Sequence, residues 1–274
     1  MNAPVGTVIL RPAAAASARH APGWLTRERV FGVLSPIALL LIWEGLSRSG
    51  VLDVRIFSAP TLVVGVMWRL LVDGELAKHT GQTLWRLLLG MVVGTVPGLL
   101  LGLTMGLFRT PRAVIGPIVS SIYPLPRVAL FPLVLLIVGL NETSNVLMVA
   151  LGPFFNMLIG TLAGVLNVEP IYLRVARSFN VNTRDLYFKV VFPAALPIIL
   201  SSFRLSLGLG LLGVVAVEFL MTNNGLGYLI WHSWQILSLG DSMAGLVTAG
   251  LIGFGLFAIL DLVEKHLVPW TTPS

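Results

Sequence analysis

Long uninterrupted apolar runs constrain this chain more than any other feature of its sequence. A helix crosses the hydrocarbon core of a bilayer with about 20 apolar residues. Six stretches meet that measure, at about 31–47, 82–108, 113–140, 144–167, 192–221 and 242–264. Little charge separates them: 11% of the 274 residues are Asp, Glu, Lys or Arg and 56% are hydrophobic, whereas soluble domains are about 25% charged. The expected fold class is therefore all-α, a polytopic membrane protein of about six transmembrane helices. Several runs exceed the minimum, which implies tilt or a break.

The flanks are different in kind. Residues 1–29 hold Pro, Ala and Arg without an apolar run and read as a disordered tail with a short surface helix near Trp24. Residues 268–274 read as a second tail, and 30–267 as one transmembrane domain. A cleaved signal peptide is not expected, because the first apolar run starts late and no small-residue cleavage site follows it. The net charge of +6 fits a positive-inside bias better than nucleic-acid binding. Most of the basic residues, Arg109, Arg112, Arg174, Arg177, Arg184, Lys189 and Lys265 among them, fall on one side if the N-terminus is cytoplasmic. Both termini are expected there.

Within the spans, five glycines recur every four residues: Gly90, Gly94, Gly98, Gly102 and Gly106. That spacing puts them on one helical stripe where another backbone can approach closely, either within this chain or across a dimer seam. The third span is interrupted by Pro124, Pro126 and Pro132 around Arg127, just after Tyr123. Non-helical backbone at membrane depth survives only when buried in protein or lining a wet cavity. Arg127 either snorkels to the cytoplasmic edge or faces a pathway and attracts an anion. Glu44, Arg204 and Glu218 are further ionisable residues in spans, and Arg86 lies in one as well. Glu44 is expected at the outer interface beside Trp43. Glu218, a candidate pathway residue with Tyr123, Pro124, Pro126 and Arg127, precedes "FLMTNNGLGYLIW"; the segment 222–240 is either an interfacial anchor or a gate over the pathway.

An island of charge, "ARSFNVNTRDLYFKVVFPAALP", lies between two apolar runs. Pro170 suits a helix start, with Ile171, Val175 and Phe179 on one face. Asn180 suits the left-handed residue that ends a helix. Asn182 suits the next N-cap, with Asp185 near the positive end of a second helix that is expected to stop before Pro193. Two short amphipathic helices joined by a sharp turn make an object for docking into a groove on another protein.

The same stretch resembles the cytoplasmic loop of permease subunits in bacterial ABC importers, whose motif reads E-A-A, three residues, G, nine residues, then I-x-L-P. Arg174, Val175 and Ala176 take the first three places, Asn180 the glycine, and Val190, Val191, Phe192 and Pro193 the ending. Arg174 replaces the acidic residue, Val175 the first alanine and Asn180 the glycine. The resemblance covers about 55–265. "FSAPTLVVGVMWRLL", "YPLPRVALFPLVLLIVGLNETSNV" and "AVEFLMTNNGLGYLI" resemble stretches of permeases for nitrate, sulfonate, taurine and bicarbonate.

This resemblance implies a type I importer permease fold in a bacterial inner membrane, with 168–193 as the coupling loop. It also implies a homodimer with two ATPase subunits below it and a solute-binding protein above. Arg174, Val175, Ala176, Arg177, Phe179, Asn180, Arg184, Asp185 and Pro193 would meet the ATPase. The expected substrate is a small organic or inorganic anion such as a sulfonate, taurine or nitrate. Importers of neutral or cationic nutrients, thiamine precursors and riboflavin, belong to the same family.

ATP chemistry is not expected on this chain. A P-loop lysine follows glycine, whereas Lys78, Lys189 and Lys265 follow Ala77, Phe188 and Glu264. ATP and Mg would be held by the partner ATPase, with no cofactor bound here. His20, His79, His232 and His266 show no metal-ligand spacing, and there is no cysteine. A secondary transporter without an ATPase is the alternative reading; it would show intramembrane acids at a coupling-ion site and inverted repeats.

Overall fold

A computed structural model describes residues 27–53 and 57–268, and every regular element among them is helical. The predicted tails and Trp24 lie largely outside the described residues. Helix α1 (Arg27–Arg48) already begins inside the last three residues of the predicted N-terminal tail. Then follow α2 (Pro60–Val72), α3 (Glu75–Leu107), α4 (Arg109–Ile122), a 3₁₀ turn (Arg127–Leu130), α5 (Phe131–Val138) and α6 (Glu142–Leu166). The rest comprises α7 (Pro170–Ser178), α8 (Thr183–Asp185), a π turn (Leu186–Val191), α9 (Phe192–Met221), α10 (Leu226–Gln235) and α11 (Leu239–Leu267).

Among the described residues, four helices are long and apolar enough to cross a membrane: α3, α6, α9 with the π turn ahead of it, and α11. A fifth crossing is a bent pair, α4 with the segment Arg127–Val138, which meet at 96°. The break falls where the sequence places Pro124 and Pro126. Neither proline has an N–H to donate, so the ladder stops and restarts in a new direction. The predicted run 31–47 lies within α1, whose Leu39, Leu41 and Ile42 are exposed. Exposed apolar side chains of this kind recur along the bundle, Leu136 and Phe254 among them, as suits a lipid-facing surface.

The centre of the molecule is α3, α6 and α9. Leu87 and Met91 of α3, Met148 and Val149 of α6, and Leu207, Val214 and Val217 of α9 form its main core, with Leu260 of α11. A second core joins Val63 and Leu70 of α2 to Leu226 and Leu229 of α10 and Ala244 and Ala249 of α11. The α3–α6 interface is the most extensive in the chain, and all five stripe glycines lie buried in it. A Cβ built at Gly98 would stand 2.5 Å from the Phe154 carbonyl oxygen, and one at Gly102 would stand 2.6 Å from that of Leu158. At Gly94 it would collide with the Ala150 carbonyl, while Val149 and Val165 block Gly90 and Gly106. The stripe is thus used within this chain, and α6 occupies it along its whole length. Arg112 closes the far end of α3, its guanidinium donating to the Met105 and Gly106 carbonyls at 2.8 Å.

Because backbone rather than a flexible side chain limits the approach, a larger residue here must push the helices apart. Overpacking of this kind costs about 1–3 kcal/mol or more. Gly98→Leu is expected to lower the thermal unfolding midpoint of the detergent-purified protein markedly, while Gly116→Leu, where a Cβ meets nothing within 4 Å, leaves it nearly unchanged.

Candidate functional site

Arg86, Arg127 and Arg204 lie away from the ends of the spans, and their surroundings differ. Arg86 of α3 is fully buried. All five of its N–H donors are used. Nε and Nη2 fork onto Glu142 of α6 at 2.9 and 2.6 Å. Nη1 donates to Glu218 of α9 at 2.8 Å and to the Asn224 carbonyl at 2.9 Å, and Nη2 also reaches Asn224 Oδ1. Glu218, likewise fully buried, accepts from Thr83 at 2.8 Å and from the Gly227 N–H at 2.9 Å. The Leu226 N–H donates to Thr83 Oγ1, and the Gly225 N–H to His79 Nδ1.

Side chains from α3 and α9 therefore satisfy the orphan donors at the start of α10. Gly225, with φ +106°, has no room for a side chain against the Glu218 carboxylate. Asn141 and Ser144 form a capping box that starts α6, which places Glu142 where a helix dipole favours a carboxylate.

The sequence singles out Glu218 for a pathway or a gate. The structure instead turns it away from open space and saturates it with donors. The segment after it is a helix pinned at its first turn, with Trp231 and Trp234 stacked on its outer side at 5.2 Å. Arg86, Glu142, Thr83 and Asn224 were not read as a group from the sequence. The available signal was an arginine and a glutamate in separate spans, each needing an opposite charge. Arg204 is matched in the same manner by Asp261 and Glu264 of α11. Glu44 accepts from Arg48 and from the backbone and side chain of Thr61.

Arg127 is the exception. It forms no hydrogen bond or ion pair with any other described residue, and it lines a cavity of about 520 Å³. Its guanidinium faces Gly152, where an added Cβ would lie 3.3 Å from Nη1. Gly152 sits near the middle of α6, so the charge is held at mid-length of the bundle rather than at a helix end. Tyr123 lines the same cavity, with apolar walls that include Phe131, Met148, Leu212, Val217 and Leu220. Pro124 and Pro126 shape the break that aims Arg127 inward, without lining the cavity themselves.

The charged island forms the opposite end of the bundle from α10, separated by the 30 residues of α9. Asn180 takes φ +49°, and the Val181 N–H bonds back to the Ala176 carbonyl at 3.2 Å, a Schellman ending to α7. Asn182 Oδ1 accepts from the Asp185 N–H at 2.8 Å, as expected of an N-cap. Ala176 is buried under this turn, whereas Phe179 is 79% and Phe188 70% exposed. Ile171, Val175, Lys189 and Pro193 line a cleft of about 840 Å³ beside it. Arg174 and Arg184 are exposed, Arg177 lies in α7, and Asp185 pairs with Lys189 at 3.1 Å.

One expectation is corrected. The second helix does not stop before Pro193 but runs through a π turn into α9 without a break. Proline cannot donate an N–H and crowds the preceding turn, and the wider π turn takes up that mismatch without ending the helix.

A bundle with a broken span, a charge at mid-length and a capped elbow is that of a multi-pass membrane protein. Residues 94–273 match the family of binding-protein-dependent transport system inner membrane components, and the chain belongs to that family. It is 30% identical to a putative aliphatic sulfonates transport permease of Bacillus subtilis (strain 168) over 93% of each chain. It is 32% identical to the corresponding Escherichia coli (strain K12) protein, over 90% of this chain and 93% of that one. A riboflavin transport permease of Chloroflexus aurantiacus is 32% identical over 85% of this chain and 87% of its own length. In fold the chain is similar to a subunit of the inward-facing MetNI methionine ABC transporter, with a TM-score of 0.54, 20% identity, and coverage of 73% of this chain and 97% of that one. Its family membership makes it the membrane component of a multi-pass importer that works with ATPase and binding-protein partners.

Removing one partner of a buried ion pair costs about 3–5 kcal/mol, whereas replacing both with apolar groups is often near neutral. Arg86→Met is expected to destabilise the detergent-purified chain strongly. Arg86→Met combined with Glu218→Leu should recover part of the loss, and the two unfolding midpoints compared with wild type check it.

Proposed function

We propose that this chain is the permease subunit of an ATP-driven importer for a small anion. Two copies enclose the pathway. The elbow of 170–193 engages an ATPase subunit in the cytoplasm, and the α10 end faces a solute-binding protein outside, with both termini cytoplasmic. The positive-inside distribution supports this orientation, since Arg109, Arg112, Arg174 and Arg184 all lie at the elbow end. Nucleotide and Mg²⁺ belong to the partner.

The observation that carries the anion reading is Arg127. A guanidinium without a counter-charge at mid-depth is costly; an anionic solute supplies the missing charge when it arrives. Sulfonate and taurine permeases are among the similar proteins, which supports the same class. The riboflavin permease represents the neutral alternative, for which an unmatched arginine has no evident use.

The elbow transmits motion because its second half is continuous with α9. Closure of the ATPase pair on ATP would carry the elbows with it and tilt α9, turning the pathway from inward-facing to outward-facing, and hydrolysis would reset it. Phe179, exposed at the turn, is the expected point of insertion into the partner, whereas Ala176 supports the turn from within.

Two measurements test this reading. In the reconstituted complex, Arg127→Ala is expected to reduce anion uptake at least tenfold at unchanged assembly, and Arg127→Lys to retain part of it. Unchanged uptake in Arg127→Ala would exclude the anion reading. Phe179→Asp is expected to leave membrane insertion intact and abolish ATP-dependent uptake. Normal uptake by that variant rules out the docking role.

A further inference from the structure

We infer that His79 is a proton-operated clasp on α10: its neutral ring ties the buried start of that helix to α3, and protonation of the ring lets that end go. The N–H groups that open a helix have no partner within it. Here three successive ones are taken by side chains from other helices. Gly225 donates to His79 Nδ1 at 3.0 Å, Leu226 to Thr83 Oγ1 at 2.8 Å and Gly227 to Glu218 at 2.9 Å. Thr83 does not titrate, and Glu218 is paired with Arg86 at 2.8 Å. Of the three acceptors, the histidine is the one whose ordinary titration falls between pH 5 and 8.

The bond fixes which form of the ring is present. A backbone N–H can only donate, so Nδ1 carries a lone pair and the ring's proton sits on Nε2. The contact is complete when His79 is neutral and is lost as the pH falls through its titration. Two further features oppose a cation there. The ring stands at the N-terminal end of α10, where the helix dipole is positive. The carbonyl of the same Asn224–Gly225 peptide already accepts from the Arg86 guanidinium. Gly225 is buried, so a released N–H is left without a partner where that is costly.

The groups around His79 give the charged ring somewhere to go. On α3, Lys78 adjoins it and Glu75 lies four residues back, and both act on it electrostatically. From α10 comes Tyr228, whose ring stacks on His79 at 6.0 Å, with His232 stacked on Tyr228 in turn at 5.1 Å. From α9 comes Glu218, its oxygens taken by Thr83, Arg86 and Gly227. Arg69 of α2 is engaged by Asp241 of α11. Glu75 is exposed and sits at the spacing that lets an acid and a base meet along a helix. The neutral ring therefore holds Gly225, and the charged ring turns toward Glu75. In the orientation proposed above, the stimulus is acid outside the membrane; the clasp itself does not depend on that orientation.

The test is hydrogen–deuterium exchange of the full chain in nanodiscs between pH 8 and pH 5, each rate divided by that of an unstructured amide at the same pH. Protection of residues 225–230 is expected to fall at least tenfold on acidification, while that of α6 stays within twofold. His79→Asn sets a carbonyl oxygen where Nδ1 stands, accepts the same bond and cannot titrate. Its protection of 225–230 is expected to stay within threefold of the wild-type pH 8 level throughout. His232→Asn is expected to behave as wild type.

A wild-type fall under tenfold, or one that extends beyond twofold to α6, overturns the proposal. So does a departure beyond threefold in His79→Asn, or a fall under tenfold in His232→Asn. The wild-type measurement needs no variant, so a misfolded mutant cannot mask the result. Nanodiscs bathe both ends of the bundle in one buffer, so the outcome is independent of the orientation and of the anion reading, which Arg127→Ala tests separately.

Discussion

An ionised group held among apolar helices must be matched by an opposite charge or given access to something that matches it. Arg86 is matched completely, by two carboxylates and an asparagine drawn from α6, α9 and the approach to α10. Arg204 is matched by two acids of α11. These pairings do more than neutralise charge, because each ties helices that the hydrophobic effect cannot sort in a lipid environment. The glycine stripe does the complementary work between α3 and α6 by allowing contact at backbone distance. With those two devices in place, the unmatched charge of Arg127 becomes informative, since the same bundle evidently can supply counter-charges where it uses them.

The two ends of the bundle are built for different behaviour. At one end α10 is fixed at its first turn by Thr83, His79 and Glu218, so its first turn moves with α3 and α9. At the other end the elbow is closed by a Schellman turn at Asn180 and an N-cap at Asn182, and its Phe179 and Phe188 are exposed among the described residues. Rigid local structure combined with exposed apolar side chains suits the docking role proposed for the elbow.

Much of this was legible in the sequence because the signals were local. Five of the six long apolar runs located the four spanning helices and the bent pair, prolines located the break at Arg127, four-residue glycine spacing located the tight face of α3, and Asn180 and Asn182 located the elbow's turn and cap. Non-local facts were not. Nothing adjacent to Arg86 announces Glu142 or Glu218, which lie 56 and 132 positions away, and reading Glu218 alone made it a candidate for the pathway. Pro193 was read as a terminator because proline removes a donor; what the local rule omits is that a helix can widen by one turn and continue.

The wide turn at Leu186–Val191 has a bearing on how α9 presents itself. One α-helical residue advances the chain by about 100° around the axis, and a π turn works as an extra residue set into that winding. The cavity wall is drawn from Leu209, Leu212, Gly213, Ala216 and Leu220 of α9, all on one side of that helix. The azimuth of this side relative to the elbow is therefore set by the six residues of the π turn. Were that turn to tighten to ordinary α-helical winding, α9 would roll about its own axis by about 100°, turning the present wall away from Arg127.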